Sequence, residues 1–317
     1  MPPARHLPTH AELTTFLQTH LPPQLPVTIT TTKKDGTIHT TTKADVPFLY
    51  HTPRHQSYTP TRHIASRIIL SITPTSGVYS ALHAPHPRSS VSSPVVFLHR
   101  PWSLNRSSVP HDALVLASHS SFDTHLTVGW NVALARRLDI DVDGAICIKG
   151  YKGEPERKIG LVGRLRTPTA LSVIVDTVRR EFNGQGELHE HVPVGPEGED
   201  PSSSSSKIEV IAIMNAFHAE EVDRVMDVAS DAKWVGDVGD GSQVLYLTGA
   251  AREPGLEAAA RVNMPAVCVG HRACEEWGIS YLAEVMRRRW PELDIVTVLE
   301  DEAEVASAKV KHGEAVH

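Results

Sequence analysis

Short apolar runs alternate with segments of helical spacing along most of this chain, and no other feature constrains the fold as much. In the first half the runs are Arg67 to Ile72, Val95 to Leu98 and Ala113 to Ser118. In the second half they are Glu209 to Met214, Val244 to Thr248, Ala266 to Val269 and Asp294 to Leu299. Each is short, apolar and bounded by turn residues, which reads as a buried strand. Helix signals lie between them. Thr73 is read as an N-cap with Pro74 at the first helical position, and Val78, Ala81 and Leu82 form the apolar face. Further helices are expected at Trp130 to Leu138, at Thr169 to Phe182 with Thr169 as cap, and at Ala219 to Ala229. Leu256 to Ala260 and Ile279 to Arg289 complete the set. Strand and helix in alternation predict an α/β protein.

The chain has 317 residues, enough for two domains at about 100–200 residues each. Residues 1–64 read as an N-terminal extension. Thr9 caps a helix over 10–20, and residues 26–47 form a hairpin that turns at Asp35-Gly36. Residues 51–63, rich in His, Pro and Thr, read as a loop. A first α/β lobe is expected over 65–182 and a second over 207–300. The segment 183–206, with its run Ser202 to Ser206, is expected to be a disordered linker. Residues 301–317 form an acidic and polar tail.

Composition excludes several classes. Apolar residues make up 40 %, which supports a core and rules out a wholly disordered chain. No run of about 18 apolar residues is present, so no membrane span is expected. The net charge of −6 argues against general attraction to nucleic acid. The three cysteines, Cys147, Cys268 and Cys274, have neither zinc-like nor paired spacing. The N-terminus has no apolar stretch long enough for a secretory signal, while the sparse acids before Glu12 leave a transit peptide open, although Arg5 is the only arginine there. A cytoplasmic protein, with the nucleus also open, is expected.

The residues that could carry chemistry sit at strand ends, where open α/β sheets bind ligands. His99 follows Val95–Leu98, and His271 follows Ala266–Val269. Glu275 lies four residues beyond His271, so on a helix the imidazole and carboxylate share a face. Asp123 follows the strand ending near Ser118. Two histidines and two carboxylates form a mixed N/O set suited to Zn²⁺, Fe²⁺ or Mn²⁺. The plainer reading is that each histidine is a turn residue and the chain an α/β protein of unspecified activity. Trp102, Trp130 and Trp277 are read as core, with a ring-stacking pocket as the other reading.

The order of these segments resembles the Nif-three-like (NGG-interacting factor three) family, also named GTP cyclohydrolase type-two homologues. The most specific piece is Leu247-Thr248-Gly249, then Leu256 to Ala259, then Gly270-His271 with Glu275, then Leu282-Ala283. It is similar to the family's T-G, alanine-bearing helix, G-H-x-x-x-E and L-A. Ile68 to Pro74, Phe97 to Trp102, Ser118 to Asp123 and Ile159 to Leu165 are similar to other family pieces in the expected order. The resemblance covers roughly residues 65–300.

It implies a two-lobed fold, each lobe a sheet flanked by helices, with a dinuclear metal site in the cleft between lobes. By position it implies metal ligation by His99, Asp123, His271 and Glu275, with one or two ions per chain. His119 is a candidate general base or outer partner. It also implies a homo-oligomer, often a hexameric ring, a protein partner, and a nucleotide as substrate. This chain departs from the pattern where the second histidine of the family's H-H pair is Arg100, since a guanidinium is not a metal ligand. The W-D-N-x-G-L motif is missing, and Met214 to His218 replaces a glycine-rich segment. Three readings follow: a metal-dependent, GTP cyclohydrolase-like hydrolase; a non-catalytic metal-binding or scaffold protein; or a metal-free protein in which Arg100 pairs with Asp123 or Glu275.

Overall fold

The computed structural model describes residues 6–23, 27–32, 38–85, 93–190, 207–236 and 239–300. In chain order the elements begin with α1 (His10–His20), β1 (Val27–Thr32), β2 (Ile38–Lys43), β3 (Leu49–His51) and β4 (Arg67–Ser71). Then come α2 (Ser76–His83), β5 (Val95–Leu98), β6 (Leu114–Ala117), α3 (Ser120–His125), α4 (Val132–Arg137) and β7 (Ile146–Tyr151). Next are β8 (Glu154–Ala170), α5 (Leu171–Glu181), β9 (Glu187–His189), β10 (Lys207–Met214) and α6 (Ala219–Asp231). The series ends with β11 (Val244–Thr248), α7 (Glu253–Arg261), β12 (Ala266–Cys268), α8 (His271–Arg289) and β13 (Asp294–Val298). The fold is mixed α/β, with two large sheets flanked by helices, as expected. Among the described residues no helix is long and apolar enough to cross a membrane.

Two compact units emerge. The first comprises Met1–Pro26, Lys43–Phe122 and Gly278–His317, and the second Val27–Thr42 and Asp123–Trp277. The first unit holds the five-stranded sheet β13-β4-β5-β6-β3. Its strands β13, β4, β5 and β6 run parallel, and β3 adds an antiparallel edge. All four residues of β5 and of β6 are buried, the continuous apolar pattern of parallel strands covered on both faces. On one face Ile69, Val96, Leu98 and Val115 pack with Val78 and Leu82 of α2.

The second unit holds the six-stranded sheet β7-β8-β10-β11-β12-β9. Strands β10, β11 and β12 are parallel, and β7, β8 and β9 join antiparallel. Helices α6 and α7 cover one face through Val222, Val225, Ala258 and Ala259.

Long-range pairing moves several boundaries away from their local signals. The expected lobes, cut at 182 and 207, do not match the sheets. β8 pairs with β10, and β13, from the far end of the chain, pairs with β4. The helix expected to start from a Thr73 cap starts instead at Ser76. Ser71 Oγ and the Thr75 amide both donate to the Thr73 carbonyl, each at 2.9 Å. That turn occupies the group a Thr73 cap would offer to the first helical turn. The helix expected from Thr169 begins at Leu171, because Thr169 and Ala170 still pair with Ile208 and Lys207. Of the segment 183–206, residues 187–189 form β9 against β12 rather than a linker, and 191–206 lie outside the described residues. The hairpin strands β1 and β2 are present, but the Asp35-Gly36 turn lies outside the described residues, as does the tail from 301.

Thr9 caps α1 as expected. Its hydroxyl accepts from the Glu12 amide at 3.2 Å, and Glu12 accepts from the Thr9 amide at 2.8 Å, a capping box. The next residue, His10, is fully buried. Its Nε2 lies 3.2 Å from the Ser93 carbonyl and its Nδ1 3.2 Å from the Tyr58 hydroxyl. With Nε2–H donating to Ser93 and Tyr58 donating to Nδ1, the neutral ring is satisfied. Burial pushes the His10 pKa below its ordinary value, and that of His20 likewise. The unfolded chain therefore protonates first. The stabilisation is whole above the unfolded value of about 6.5 and is lost as pH falls from there through the folded value. Urea unfolding should show a midpoint that drops between about pH 7.5 and about pH 5. A His10→Gln variant should flatten that drop, and an unchanged drop would remove His10 from the account.

Candidate metal centre

Strand β5 carries His99 just past its carboxyl end, and the backbone pins it there. The His99 amide donates to Ser71 at 3.2 Å and the Arg100 amide to Ile72 at 2.7 Å. The His99 ring is fully buried, and its Nδ1 lies 3.1 Å from the Ser118 carbonyl. A carbonyl only accepts, so Nδ1 carries a proton, and in the neutral form of the ring the lone pair lies at Nε2. Metal-binding histidines are oriented in this way.

His119 follows β6 directly. Its ring stacks on that of His99 with centroids 4.9 Å apart and planes 6° from parallel. Phe122 stacks on His99 at 4.4 Å, and Trp102 meets His119 edge-on at 4.8 Å. Trp102 is 59 % exposed, so the core reading fails for it. That reading holds for Trp277, which is 4 % exposed and donates to Glu181 at 3.0 Å.

Helix α3 begins one residue after His119. Asp45 secures its start by accepting from the Ser120 amide at 3.1 Å and the Ser120 hydroxyl at 3.2 Å, a carboxylate placed at a helix N-terminus. Four residues beyond His119 comes Asp123. The Asp123 carbonyl accepts from Asn215 Nδ2 at 2.8 Å and from the Thr127 hydroxyl at 2.5 Å. His99, His119 and Asp123 each offer one ligand atom, and those atoms all lie within 4.8 Å of one another.

His271 and Glu275 form a separate pair in the second unit. Gly270 turns the chain from β12 into α8 with φ +91°, a left-handed conformation that favours glycine. Its amide donates to the Gly249 carbonyl at 2.5 Å. A Cβ on Gly249 would stand 3.2 Å from the Cys274 sulfur and 3.6 Å from the His271 Cα. The T-G and G-H pieces of the sequence are therefore two loops in contact at adjacent strand ends. His271 Nε2 lies 3.2 Å from Glu275 Oε1, with the imidazole 74 % exposed and the carboxylate 1 % exposed. Burial pushes the Cys274 thiol far above its ordinary pKa, with the Glu275 and Asp123 charges adding to the shift. Cys274 is thus an inert thiol.

Asp123 and His271 line one cavity of about 160 Å³, together with Thr127, Asn215, Arg157 and Arg252. Asp123 belongs to both groups. Of the residues expected as ligands, the structure gathers His99 with Asp123 and sets His271 against Glu275. His119, expected as a base or outer partner, stands among the possible ligands. Asp45, Asn215 and the two arginines gave no sequence signal. Asp45 acts on Ser120 across 75 positions, and Asn215 lies in the segment that departs from the family pattern.

Comparison with known proteins follows the same lines. A model of the Duf34/NIF3 (NGG1p interacting factor 3) family matches residues 103–303. A GTP cyclohydrolase 1 type 2 homolog of Pseudomonas aeruginosa is 26 % identical over 180 residues, 57 % of this chain and 59 % of that protein. The match thus spans less than two thirds of that relative's length. Among solved structures, protein ybgI, of unknown function, superposes with a TM-score of 0.51 at 15 % identity, covering 92 % of this chain and 98 % of that one. Reduced HcgD from Methanocaldococcus jannaschii superposes at 0.50 and 12 % identity, again over 92 % and 98 %. At these identities the structural likeness concerns the fold.

Proposed function

Because the chain belongs to the Duf34/NIF3 family, we propose that it binds a divalent metal through His99, His119 and Asp123 and acts as a metal-dependent hydrolase of GTP cyclohydrolase-like type. The convergence of three ligand atoms within 4.8 Å carries this reading. Two imidazoles and a carboxylate fit Zn²⁺, Fe²⁺ or Mn²⁺. The Nδ1–H bond of His99 to Ser118 holds the tautomer such an ion requires. When bound, the ion supplies Lewis acidity, making a coordinated water more acidic and polarising a substrate oxygen.

The chain's own residues do the rest. Asp45 fixes the start of α3, and with it His119 and Asp123. Asn215 and Thr127 hold the Asp123 backbone. We assign His271 and Glu275, with Asp123 of the same unit, to a second metal position, since His271 lines the Asp123 cavity and lies 3.2 Å from the buried Glu275. Arg157 and Arg252 line that cavity, which suits the phosphates of a nucleotide.

The test is turnover of GTP and of phosphoesters by metal-loaded protein. Arg252→Ala should raise KM about tenfold and leave kcat near parental, the mark of lost uniform binding. Turnover that survives Asp123→Ala would contradict the hydrolase. A second reading, a non-catalytic metal-binding protein acting through a protein partner, is favoured by Arg100, which stands where the motif has its second histidine. It predicts bound metal without turnover. Assembly as a homo-oligomer, a hexamer in the family pattern, is part of the proposal and is read by light scattering.

A further inference from the structure

Among the described residues the large apolar side chains left exposed are Leu49, Ile64, Trp102, Ile146 and Val173. One such side chain alone marks nothing. Trp102 differs from the other four in chemistry and in place. It is the aromatic one, 59 % exposed, and its ring meets His119 of the proposed centre at 4.8 Å. The backbone presents it on a fixed turn. Just before it, the His99 and Arg100 amides are bound by Ser71 and Ile72. Pro101 is buried, and its carbonyl accepts from the Leu104 amide at 2.9 Å. Just after it, the Asn105 amide donates to the Tyr79 hydroxyl at 2.8 Å. The indole therefore stands on a turn tied down at both ends, and little ordering remains to be lost when a ligand docks on it.

The orientation of the ring leaves it a free face. The planes of His99 and His119 differ by 6°, whereas those of Trp102 and His119 differ by 60°. The two imidazoles stack face to face, and the indole stands across the pair. An edge-on contact takes at most one face of the indole, and the exposure leaves the other to solvent. A flat ring laid on that face, at about 3.5 Å, is separated from a candidate metal ligand by the indole alone. Nucleic-acid bases gain from such a platform because every base has a π-face. A phosphate has none. The two-ring indole offers most contact to a two-ring purine.

We propose that Trp102 is the platform on which the purine base of the substrate stacks, so that the substrate class is a purine nucleotide and not a base-free phosphoester. The inference rests on the reading of this centre as a nucleotide hydrolase, but the stack itself needs no metal. The test is isothermal titration of the full chain with GTP and with inorganic triphosphate, which carries the phosphates without the base. Binding is measured in metal-stripped protein, where no turnover intervenes, and turnover in metal-loaded protein. The parent chain should bind GTP about tenfold more tightly than triphosphate. Trp102→Ala should lose that advantage and leave triphosphate binding and metal affinity near parental. Trp102→Phe keeps a flat ring and should retain most of the affinity for GTP. GTP should also quench indole emission in the parent chain, and most of that quenching should vanish in Trp102→Phe. Equal affinity of the parent chain for the two ligands would overturn the proposal. So would a loss in Trp102→Ala that is the same for both ligands or confined to metal, since the indole would then only shore up His119. A Trp102→Ala chain that binds GTP as the parent does but no longer assembles, by light scattering, would overturn it too, with Trp102 then a contact between copies. Trp102-dependent GTP binding without turnover would contradict the hydrolase and support the stack.

Discussion

A His99→Ala variant is expected to bind divalent metal at least about a hundredfold more weakly than the parent chain and to lose about 2–5 kcal/mol of stability. Both effects follow from where the ring sits. It is fully buried, held by Ser118, and stacked against the rings of His119 and Phe122. Removing it deletes a ligand and opens a cavity against two rings. His119→Ala separates the two effects. Its ring lies in contact with the exposed Trp102, so metal affinity should fall as far while stability falls much less. Chelator-competition titration and urea unfolding read the two quantities side by side. Parental metal affinity in both variants would remove the imidazole pair from the centre.

Gly129→Ala should be the other large perturbation, although residue 129 offers no ligand. A Cβ there would stand 2.7 Å from Asn215 Nδ2, 2.7 Å from the Thr124 carbonyl and 3.0 Å from the Asp123 carbonyl. Both carbonyls belong to α3 and cannot swing away. The strain should cost about 1–3 kcal/mol and push Asn215 off Asp123. With the clamp on Asp123 lost, metal affinity should fall about tenfold or more. Asn215→Ala removes the clamp without the clash, so it should copy the loss of affinity at a smaller cost in Tm. A Gly129→Ala protein with parental Tm and parental affinity would show that this packing does not govern the centre.

Much of the architecture is legible in the sequence because its signals are local. Val95–Leu98 and Leu114–Ala117 are apolar throughout, and only a strand covered on both faces needs that pattern. Thr9 and Glu12, three positions apart, announce α1 through a capping box. Gly249 and Gly270 stand where a close approach and a positive φ require them. What stayed hidden depends on distant partners. Thr169 looks like a cap until Ile208 pairs with it. Residues 187–189 carry almost no apolar pattern and become a strand because β12 offers them an edge. The centre divides in the same way. His99 and Asp123 could be marked by their place after strands. The role of His119 depends on a 6° stacking of two rings that no spacing reveals. Asn215 reaches Asp123 across 92 positions.

Metal content per chain tests the central claim most directly. The protein is purified untagged and without chelator, soaked in Zn²⁺, Mn²⁺ and Fe²⁺ in turn, desalted and read by elemental mass spectrometry. The account predicts about one ion per chain at the His99–His119–Asp123 centre, rising to about two if His271 and Glu275 complete a second position. No stoichiometric metal after any soak would contradict it, and with it the hydrolase built on that centre.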